Sequence, residues 1–421
     1  MKRTLVISNA CFSDGTSNGR TLKNLFSGAE PAALAQFFVY GDPDFEMCGR
    51  YYQVSDRDAL GSLNPLKVAG GPVERVVKPG REAGSGLEAG ETVYMGVANK
   101  TPLKMLLRET VWLLGRWNGR RLRRWIEEFR PERLCLFLAN NTFLIRLAAQ
   151  IAGEYRIPLV VYSTEGYCFM DYNYFTNRPS LVYRLYFAWL RRTYRKVSSH
   201  VTEGFFNCTL LRERYEESFG YPCKCIMNGS EIAFLDRSAP EQGRPPVISY
   251  LGNLGLGRWK ALAEVAKALQ EIDRALQLDV YGSAPDDRAK KELTSCPGIR
   301  FHGFVPYEEV VRIIHDSSLL VHAEWNDPIV NRDLQYAFST KIGDSVCSGT
   351  PFLIYADEGL AETLFLKEND CAFVVGKREM LKPILQQALT DEKERRRIVE
   401  NARLTKEKFF TGNDSFRKAF L

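Results

Sequence analysis

The stretch Ser339-Thr-Lys-Ile-Gly-Asp-Ser-Val-Cys-Ser-Gly-Thr-Pro-Phe-Leu-Ile-Tyr355 decides the fold. It predicts a short helix over residues 341–347, because the glycine at position 349 is a usual helix stop. Pro351 follows this stop and cannot continue a helix, so we expect a strand over residues 352–355. A helix that leads directly into a buried apolar strand is typical of α/β proteins.

The same stretch places a carboxylate near a helix N-terminus. Asp344 would lie about one turn inside an end that also carries hydroxyls and Lys341. Helix N-termini bind phosphates, because they expose N–H groups and the positive end of the helix dipole. A carboxylate one turn further on can accept ribose hydroxyls. The segment therefore indicates either a nucleoside diphosphate site or an ordinary capped helix, and it leaves both open.

Length and composition predict a two-domain globular protein. The chain has 421 residues, of which 45% are apolar, and a formal net charge of +6. Its ten cysteines lack zinc-type spacing, so we expect free thiols in a reducing cytoplasm. No run of about 18 uncharged apolar residues occurs, which predicts no membrane span.

Short apolar runs alternate with helical patterns along most of the chain. The clearest helix covers residues 259–272, with Leu262, Val265 and Leu269 on one face. The strand candidates are residues 5–8, 37–40, 134–138, 159–162, 247–251, 278–281, 300–302, 319–322, 352–355 and 372–375. This alternation predicts two doubly wound, Rossmann-like α/β domains with parallel sheets that face a central cleft.

A polar, proline-rich segment over residues 237–246 predicts a linker between the domains. We therefore expect an N-terminal domain over residues 1–236 and a C-terminal domain over residues 247–400. The last segment, residues 401–421, is helical in pattern, and whether it packs back on the first domain stays open.

A glycine-rich turn opens the C-terminal domain. Its sequence is Tyr250-Leu-Gly-Asn-Leu-Gly-Leu-Gly-Arg-Trp-Lys260. Glycines such as Gly252 let the backbone approach a phosphate, and Arg258 and Lys260 add cations at a helix start, where cations are otherwise disfavoured. The spacing is not Gly-x-Gly-x-x-Gly and does not support a dinucleotide site. The turn indicates a phosphate site or simply solvated charges.

Further turns carry a family resemblance. They read Val280-Tyr-Gly-Ser-Ala-Pro285, Phe301-His-Gly-Phe-Val-Pro306 and Asn228-Gly-Ser-Glu231. With the stretches quoted above, they resemble the C-terminal domain of GT-B glycosyltransferases, family 4 in particular, over residues 247–376, and the N-terminal half only loosely. The resemblance implies that this domain binds a UDP- or GDP-linked sugar as substrate, with no other cofactor, and that the N-terminal domain binds the acceptor.

The resemblance also assigns individual residues. Asp344 stands where the family's second Glu of a Glu-x7-Glu segment binds ribose, whereas Tyr336 stands where the first Glu should be. Glu324 is our catalytic candidate to replace that first Glu beside the donor sugar, and Asp327 is the alternative, unless both belong to a plain polar loop. The other implied donor ligands are Gly252, Asn253, Arg258, Lys260, Phe304, Ser339, Thr340 and Lys341.

Cations at these positions would stabilise the charge that grows on the leaving nucleotide. The four histidines, His200, His302, His315 and His322, are scattered along the sequence and predict no metal cluster. We therefore expect transfer without a metal ion.

Acceptor contacts are expected from two loops of the N-terminal domain. The polar loop before a helix predicted to start at Leu22 offers Asp14, Gly15 and Gly19, although a plain loop is the alternative. Glu165 and Asp171 follow the strand over residues 159–162, and the aromatic residues around them suit stacking on a sugar ring. Either carboxylate would serve as general base if the reaction inverts the anomer, or would position the acceptor if it retains it.

Two predicted helices, residues 103–129 and 180–197, combine arginines with aromatic residues. Such helices bind anionic membrane surfaces, so we expect peripheral attachment to the inner face of the membrane and a glycan or polyprenyl-linked acceptor. The alternative is that the aromatic residues pack inward. Neither helix has a nucleic-acid reading motif, so no nucleic acid partner is expected.

The leading hypothesis is a glycosyltransferase that moves a sugar from a nucleotide-sugar donor to a lipid-linked glycan during synthesis of a surface polysaccharide such as capsule or O-antigen. The alternative is a non-catalytic scaffold or glycan-binding protein of the same fold. Tyr336, at the position of the missing Glu, keeps that alternative open.

Overall fold

The computed structural model describes residues 1–67, 69–74, 101–170, 180–227, 229–230, 232–239, 243, 245–410 and 414–421. The chain forms two compact units, Met1–Ile226 together with Asn413–Leu421, and Met227–Gly412. The segment predicted as a linker, residues 237–246, therefore falls within the second unit. The last nine residues belong to the first unit.

The first unit is built on an eight-stranded sheet. Its strands are β1 (Thr4–Ile7), β2 (Leu34–Phe38), β3 (Arg50–Gln53), β4 (Gly71–Val73), β5 (Arg133–Phe137), β6 (Leu159–Ser163), β7 (Val201–Phe206) and β8 (Cys223–Cys225). They are ordered β4-β3-β2-β1-β5-β6-β7-β8, and every pair is parallel except β3 with the edge strand β4. The helices are α1 (Ser17–Leu25), α2 (Asp56–Gly61), α3 (Pro102–Leu114), α4 (Arg120–Phe129), α5 (Thr142–Tyr155), α6 (Leu181–Val197) and α7 (Thr209–Phe219).

The second unit is built on a six-stranded, fully parallel sheet. Its strands are β9 (Ile248–Leu251), β10 (Leu278–Tyr281), β11 (Ile299–Gly303), β12 (Leu319–Ala323), β13 (Phe352–Tyr355) and β14 (Phe373–Val375). The helices are α8 (Arg258–Ile272), α9 (Asp287–Ser295), α10 (Tyr307–Asp316), α11 (Pro328–Leu334), α12 (Thr340–Ser348), α13 (Ala361–Glu368), α14 (Leu381–Thr390) and α15 (Glu392–Phe409). The chain then returns to the first unit with α16 (Asp414–Lys418).

The strand order of the second sheet contains a reversal next to β9. The strands run β11-β10-β9-β12-β13-β14, so the chain grows outward from β9 on one side and from β12 on the other. This reversal between β9 and β12 is a topological switch point, and ligands of such sheets bind beyond the carboxyl ends of the strands there. The predicted α/β fold with two doubly wound parallel sheets is confirmed.

Buried apolar side chains hold the second unit together. Ile248 of β9, Val280 of β10 and Leu353 of β13 pack with Val265 and Leu269, which lie on the face of α8 that its periodicity predicts. Strands buried on both faces have near-continuous apolar runs, which is why they stood out in the sequence.

Two predicted helices have different bounds in the structure. Residues 103–129 form α3 and α4, not one helix, because the chain is extended at Gly115 and Gly119. Between them Trp117 turns into the core, and its indole N–H donates to the carbonyl of Trp112 at 2.7 Å. A single continuous helix would not allow that contact.

The first helix begins at Ser17, five residues before the predicted start at Leu22. The Thr16 hydroxyl accepts a hydrogen bond from the Gly19 N–H at 3.0 Å and caps the helix. Gly19 is therefore part of α1 and not of the predicted polar loop. A Cβ atom there would lie 2.5 Å from the Ser13 carbonyl oxygen, so the position requires glycine for close packing.

Candidate active site

The starts of α8 and α12 meet at the carboxyl edge of the second sheet. The glycine-rich turn leads from β9 into α8, and its Gly252 lies against the side chain of Lys341 in the first turn of α12. A Cβ atom on Gly252 would lie 3.0 Å from both Cδ and Cε of Lys341. The structure thus brings together two regions that the sequence singled out separately.

The turn into α8 has an unusual backbone. Leu256 has φ of 58° and Gly257 has φ of 79°, so two successive residues are left-handed. Gly257 also has no room for a side chain, since a Cβ atom would lie 2.8 Å from the Cβ of Trp325. A left-handed leucine costs about 1–2 kcal/mol, and such strain concentrates at functional sites.

Asn253 shapes this turn from inside. Its Oδ1 accepts a hydrogen bond from the Gly255 N–H at 2.6 Å, and its carbonyl accepts one from the Tyr250 hydroxyl at 2.7 Å. The structure therefore gives Asn253 a role in holding the backbone. The N–H groups of Arg258 and Lys260 at the start of α8 donate to the carbonyls of Gly255 and Gly257 at 3.1 and 2.9 Å.

Arg258, the first residue of α8, is paired with a buried carboxylate. Its Nε lies 2.8 Å from both carboxylate oxygens of Glu324, and its Nη2 lies 2.6 Å from Oε1. The Arg258 side chain is 14% exposed and that of Glu324 is 2% exposed. Burial alone disfavours the guanidinium charge, but the Glu324 carboxylate outweighs this and raises the pKa of Arg258. Arg258 remains charged under all ordinary conditions.

This pairing changes the interpretation of Glu324. The sequence predicted a carboxylate beside the donor sugar, but the structure buries Glu324 and commits its oxygens to Arg258. Asp327, the alternative, caps α11 by accepting hydrogen bonds from the N–H groups of Ile329 and Val330 at 2.9 and 3.3 Å. Both carboxylates therefore have partners within the described part of the second unit.

His322 links this pair to the start of α12. Its Nε2 lies 3.2 Å from Glu324 and 3.3 Å from Glu362, whose second oxygen accepts from the Ser339 N–H at 3.3 Å. Burial disfavours the imidazolium, but the Glu362 and Glu324 carboxylates outweigh it and raise the pKa of His322 to about 9. Two cations and two carboxylates thus form one buried, electrically balanced network that joins the two helix starts.

The network is not arranged as a vacant metal site. Ligand-type atoms of His322, Glu324 and Glu362 lie within 4.8 Å of one another. However, Arg258 already occupies the Glu324 carboxylate, and a metal ion would need a neutral imidazole in place of the cation. Glu362 was missed from the sequence, because nothing local marks a helix residue that reaches across to another strand end.

Two lysines lie in the first turns of α8 and α12. The Lys260 ammonium lies 5.5 and 5.3 Å from the ring centroids of Trp259 and Trp325, and it makes no salt bridge within the described part of the chain. Lys341 is half-buried, with its stem against Gly252. These two cations and the N–H groups at two helix starts form the electropositive part of the site.

The remaining predicted donor ligands lie around the start of α12 and the end of β11. Ser339 is the N-cap of α12, and Thr340 is its exposed first residue. The Asp344 carboxylate accepts a hydrogen bond from the Ser230 hydroxyl at 2.7 Å and is half-buried. Phe304 follows β11 and is 78% exposed, so its ring is available to a ligand.

The acceptor candidates lie in the first unit. Glu165 follows β6 and is half-buried, with its N–H donating to the Ser163 hydroxyl. Asp14 is exposed and pairs with Lys23 at 2.6 Å, and Gly15 next to it is exposed. Asp171 lies outside the described residues.

The aromatic residues of the arginine-rich helices point inward. Trp112 and Trp125 are buried, and so are Tyr183, Phe187 and Tyr194 on α6. These rings pack in the core of the first unit, as the alternative predicts, whereas Trp189 of α6 is half-buried and lies 5.9 Å from the Arg146 guanidinium. Among the described helices, none is long and apolar enough to cross a membrane.

Comparisons with known proteins agree with this architecture. Residues 232–405 match the family model described as glycosyl transferases group 1. No curated protein matches the chain. Among solved structures, Anabaena HepE in complex with UDP is similar, with a TM-score of 0.63 and 14% identity, covering 100% of this chain and 99% of that one.

Two other solved structures have the same fold. A glycosyltransferase from Rickettsia africae has a TM-score of 0.58 and 10% identity, covering 99% of this chain and 97% of the other. WaaG, a glycosyltransferase involved in lipopolysaccharide biosynthesis, has a TM-score of 0.53 and 13% identity, covering 99% and 98%. Residues 232–405, within the second unit, are therefore similar to the glycosyl transferases group 1, and the chain as a whole has the GT-B fold.

Proposed function

We propose that this protein transfers a sugar from a nucleotide-sugar donor to a lipid-linked glycan at the inner face of the membrane, in the synthesis of a surface polysaccharide such as capsule or O-antigen. The observation that supports this most is the meeting of the α8 and α12 starts at Gly252 and Lys341. Two helix N-termini and two lysines at one sheet edge suit a diphosphate.

In this proposal the diphosphate contacts the N–H groups at both helix starts, with Lys260 and Lys341 beside it. When the bond between the sugar and the diphosphate breaks, negative charge grows on the leaving nucleotide, and these groups stabilise it without rearranging. In this proposal Arg258 acts without contacting the diphosphate, because its charge is already balanced by Glu324. We expect no metal requirement, so that excess chelator leaves the rate unchanged.

Asp344 is the proposed ribose ligand, and Phe304 is the proposed contact to the base. UDP is the first nucleotide to test, because Anabaena HepE was solved with UDP and also with UDP and glucose. GDP remains the other candidate.

On the acceptor side, Glu165 is the described candidate for general base or acceptor positioning, together with Asp171. Asp14 and Gly15 lie in an exposed loop after β1 and are proposed to touch the acceptor. Gly19 acts through packing of α1 against Ser13 and not through direct contact.

The test is UDP binding by calorimetry, followed by release of UDP from a panel of UDP-sugars with membrane extract as acceptor. Lys341→Met removes one charge from the site, and loss of a charge-assisted hydrogen bond should weaken UDP binding about tenfold or more. Lys393→Met, at an exposed position of α15 in the same unit, is the matched control. Equal UDP affinity of wild type and Lys341→Met would contradict the proposed site.

The same experiment separates the enzyme from the non-catalytic alternative. The buried pairing of Glu324 and the presence of Tyr336 favour that alternative. A protein that binds UDP but releases none from any UDP- or GDP-sugar with any membrane extract would be a scaffold or a glycan-binding protein.

A further inference from the structure

We propose that Ser230 is a positioning residue for the ribose of the donor, and that it gives the site its preference for ribonucleotides over their deoxy forms. The Ser230 hydroxyl donates a hydrogen bond to Oδ1 of Asp344 at 2.7 Å, across 114 positions of the sequence. Asp344 is the proposed ribose ligand, so the inference rests on the proposed function and deepens it. It adds a residue that holds Asp344, not one that touches the donor.

The direction of the hydrogen bonds at Ser230 follows from its two partners. Its hydroxyl oxygen accepts from the Ile232 N–H at 3.3 Å, and its hydrogen is donated to Asp344. An N–H can only donate and an ionised carboxylate can only accept, so the single hydroxyl hydrogen belongs to the carboxylate. Ser230 and Asp344 are both half-buried, which shields their hydrogen bond partly from water and still leaves the carboxylate accessible to a ligand.

The segment that carries this serine is fixed along helix α12. The Leu235 N–H donates to the Ser348 carbonyl at 2.8 Å, and the Arg237 N–H donates to the Gly349 carbonyl at 3.0 Å. The buried guanidinium of Arg395 in turn donates to the Arg237 carbonyl at 3.1 Å. Because these contacts already hold the segment against the end of α12, the serine reaches the middle of the same helix at little further cost in conformational entropy.

A lysine from a third element joins the same segment to α12. The Lys406 ammonium, on α15, donates to the Ile232 carbonyl at 3.2 Å and to the Cys347 carbonyl at 3.4 Å. The Ile232 side chain is buried, and its N–H is the one that donates to Ser230. A movement of the serine away from Asp344 would therefore break contacts of three elements at once.

The hydrogen bond from Ser230 sets the direction in which the Asp344 carboxylate accepts. The terminal torsion of an aspartate is broad, so a hydrogen bond is needed to fix the plane of its carboxylate. An ionised carboxylate has about four acceptor sites and can accept from Ser230 and from ribose hydroxyls together. A carboxylate that is fixed before the nucleotide arrives loses less freedom when the nucleotide binds. Ser230 therefore strengthens the contacts of the ribose hydroxyls and leaves those of the diphosphate and the base unchanged.

The test is calorimetry of the full-length protein with UDP and with 2′,3′-dideoxy-UDP, which lacks both ribose hydroxyls. We expect the wild type to prefer UDP. Ser230→Ala should weaken UDP binding about tenfold and bind the dideoxy nucleotide like the wild type. Ser230→Thr keeps a hydroxyl and should restore most of the UDP affinity. Ser295→Ala is the matched control, because that exposed serine on α9 donates only within its own helix, to the Lys291 and Glu292 carbonyls at 2.9 and 3.4 Å.

A second variant shows whether Ser230 acts through Asp344. Asp344→Ala removes the carboxylate and should abolish the preference for UDP over the dideoxy nucleotide. The double variant, Ser230→Ala with Asp344→Ala, should then bind UDP as Asp344→Ala alone does, because the effects of two residues that act as one unit do not add. Additive losses of UDP affinity would show that Ser230 acts on the nucleotide by another route and would overturn the positioning role.

The outcomes distinguish this inference from the proposed function. A wild type that binds neither UDP nor GDP would remove the proposed function, and the role of Ser230 with it. A wild type that binds UDP, together with a Ser230→Ala variant that binds UDP equally well or more tightly, would overturn the role of Ser230 alone. Equal weakening toward UDP and the dideoxy nucleotide would also overturn it, because the loss would then reflect a disturbed α12. Retained affinity for the dideoxy nucleotide shows that the variant is folded.

Discussion

Glu324 and Arg258 neutralise each other inside the second unit, and His322 extends the pair to Glu362. Buried charges are expensive unless each has a partner, so the members of this network depend on one another. The network also has a geometric effect, because it ties the first residue of α8 to the N-cap of α12. Buried residues thereby determine where the proposed phosphate-binding groups of both helix starts lie.

Replacing His322 by glutamine should change how stability depends on pH. The pKa of His322 lies at about 9 in the fold, against 6.5 for an ordinary histidine. The carboxylates that raise this pKa stabilise the fold fully below pH 6.5, where His322 is charged in both the folded and the unfolded protein. This stabilisation is lost as pH rises through 9. The difference between the two pKa values corresponds to about 3 kcal/mol in the free energy of unfolding. Urea unfolding should therefore show a wild-type free energy of unfolding that falls between pH 6.5 and 9.5, and a flatter dependence for His322→Gln.

His200→Gln is the matched control, because that histidine is exposed and lies in the other unit. The dependence of stability on pH at the acid side has a different origin, which is Glu324. The pKa of Glu324 is lowered, since His322 and Arg258 outweigh the opposing effect of burial. Its contribution is present above the ordinary carboxyl pKa and is lost as pH falls. A His322→Gln protein with the wild-type slope above pH 6.5 would show that the imidazole is neutral in the fold.

At the scale of elements, helix α12 shows what local sequence determines. Gly349 ends it at φ of 79°, as a left-handed C-cap, and the predicted bounds agree with the structure within one residue at each end. All ten predicted strands are also present. Strands β3, β4, β7 and β8 were missed for physical reasons: three are only three or four residues long, and β7 contains Glu203 and Gly204, which break the apolar pattern.

Tertiary contacts determine the parts of the site that local sequence does not. The position of Asp344 in its helix follows from helix signals in the stretch around it. The pairing of Glu324 with Arg258 and the inward direction of the α6 aromatics depend on residues distant in the chain, and no spacing rule predicts them. The loops can therefore be located from local sequence, whereas the partners of their charged residues depend on the tertiary fold.

Substitution of Gly349 by alanine should destabilise α12 more than its backbone angle alone requires. A Cβ atom there would lie 2.3 Å from the Leu235 carbonyl oxygen, so the segment after residue 232 must move. Gly220 is the matched control, because it ends α7 with φ of 74° and has no atom within 4 Å of its Cβ position. We expect Gly220→Ala to lower the free energy of unfolding by about 1 kcal/mol and Gly349→Ala to lower it by at least about twice that, as measured by urea unfolding. Equal losses of unfolding free energy in the two variants would mean that the backbone at Leu235 moves aside without an energetic cost.

At the scale of the whole molecule, the chain begins and ends in the same unit. The Lys2 N–H donates to the Phe420 carbonyl at 2.9 Å, and Arg417 donates to the Ser27 carbonyl at 3.1 Å. Phe416 and Phe420 are fully buried in the apolar core around Phe26. The core of the first unit thus includes residues that follow the second unit in the sequence.

Phe416→Ala should therefore destabilise the first unit and leave the second one unchanged. The Phe416 ring contacts those of Phe26, Phe205 and Tyr162 at centroid distances of 5.2, 5.1 and 6.1 Å. Removing a buried phenylalanine of this kind costs about 3–5 kcal/mol. Hydrogen exchange measured by mass spectrometry reports each unit from its own peptides. We expect faster exchange in peptides from β1, β2 and β7, unaltered exchange in peptides from β9 and β12, and no change in either for Leu421→Ala, whose side chain is 65% exposed. Faster exchange in both units would instead show that the two units unfold as one cooperative body, and that the last nine residues stabilise the entire chain.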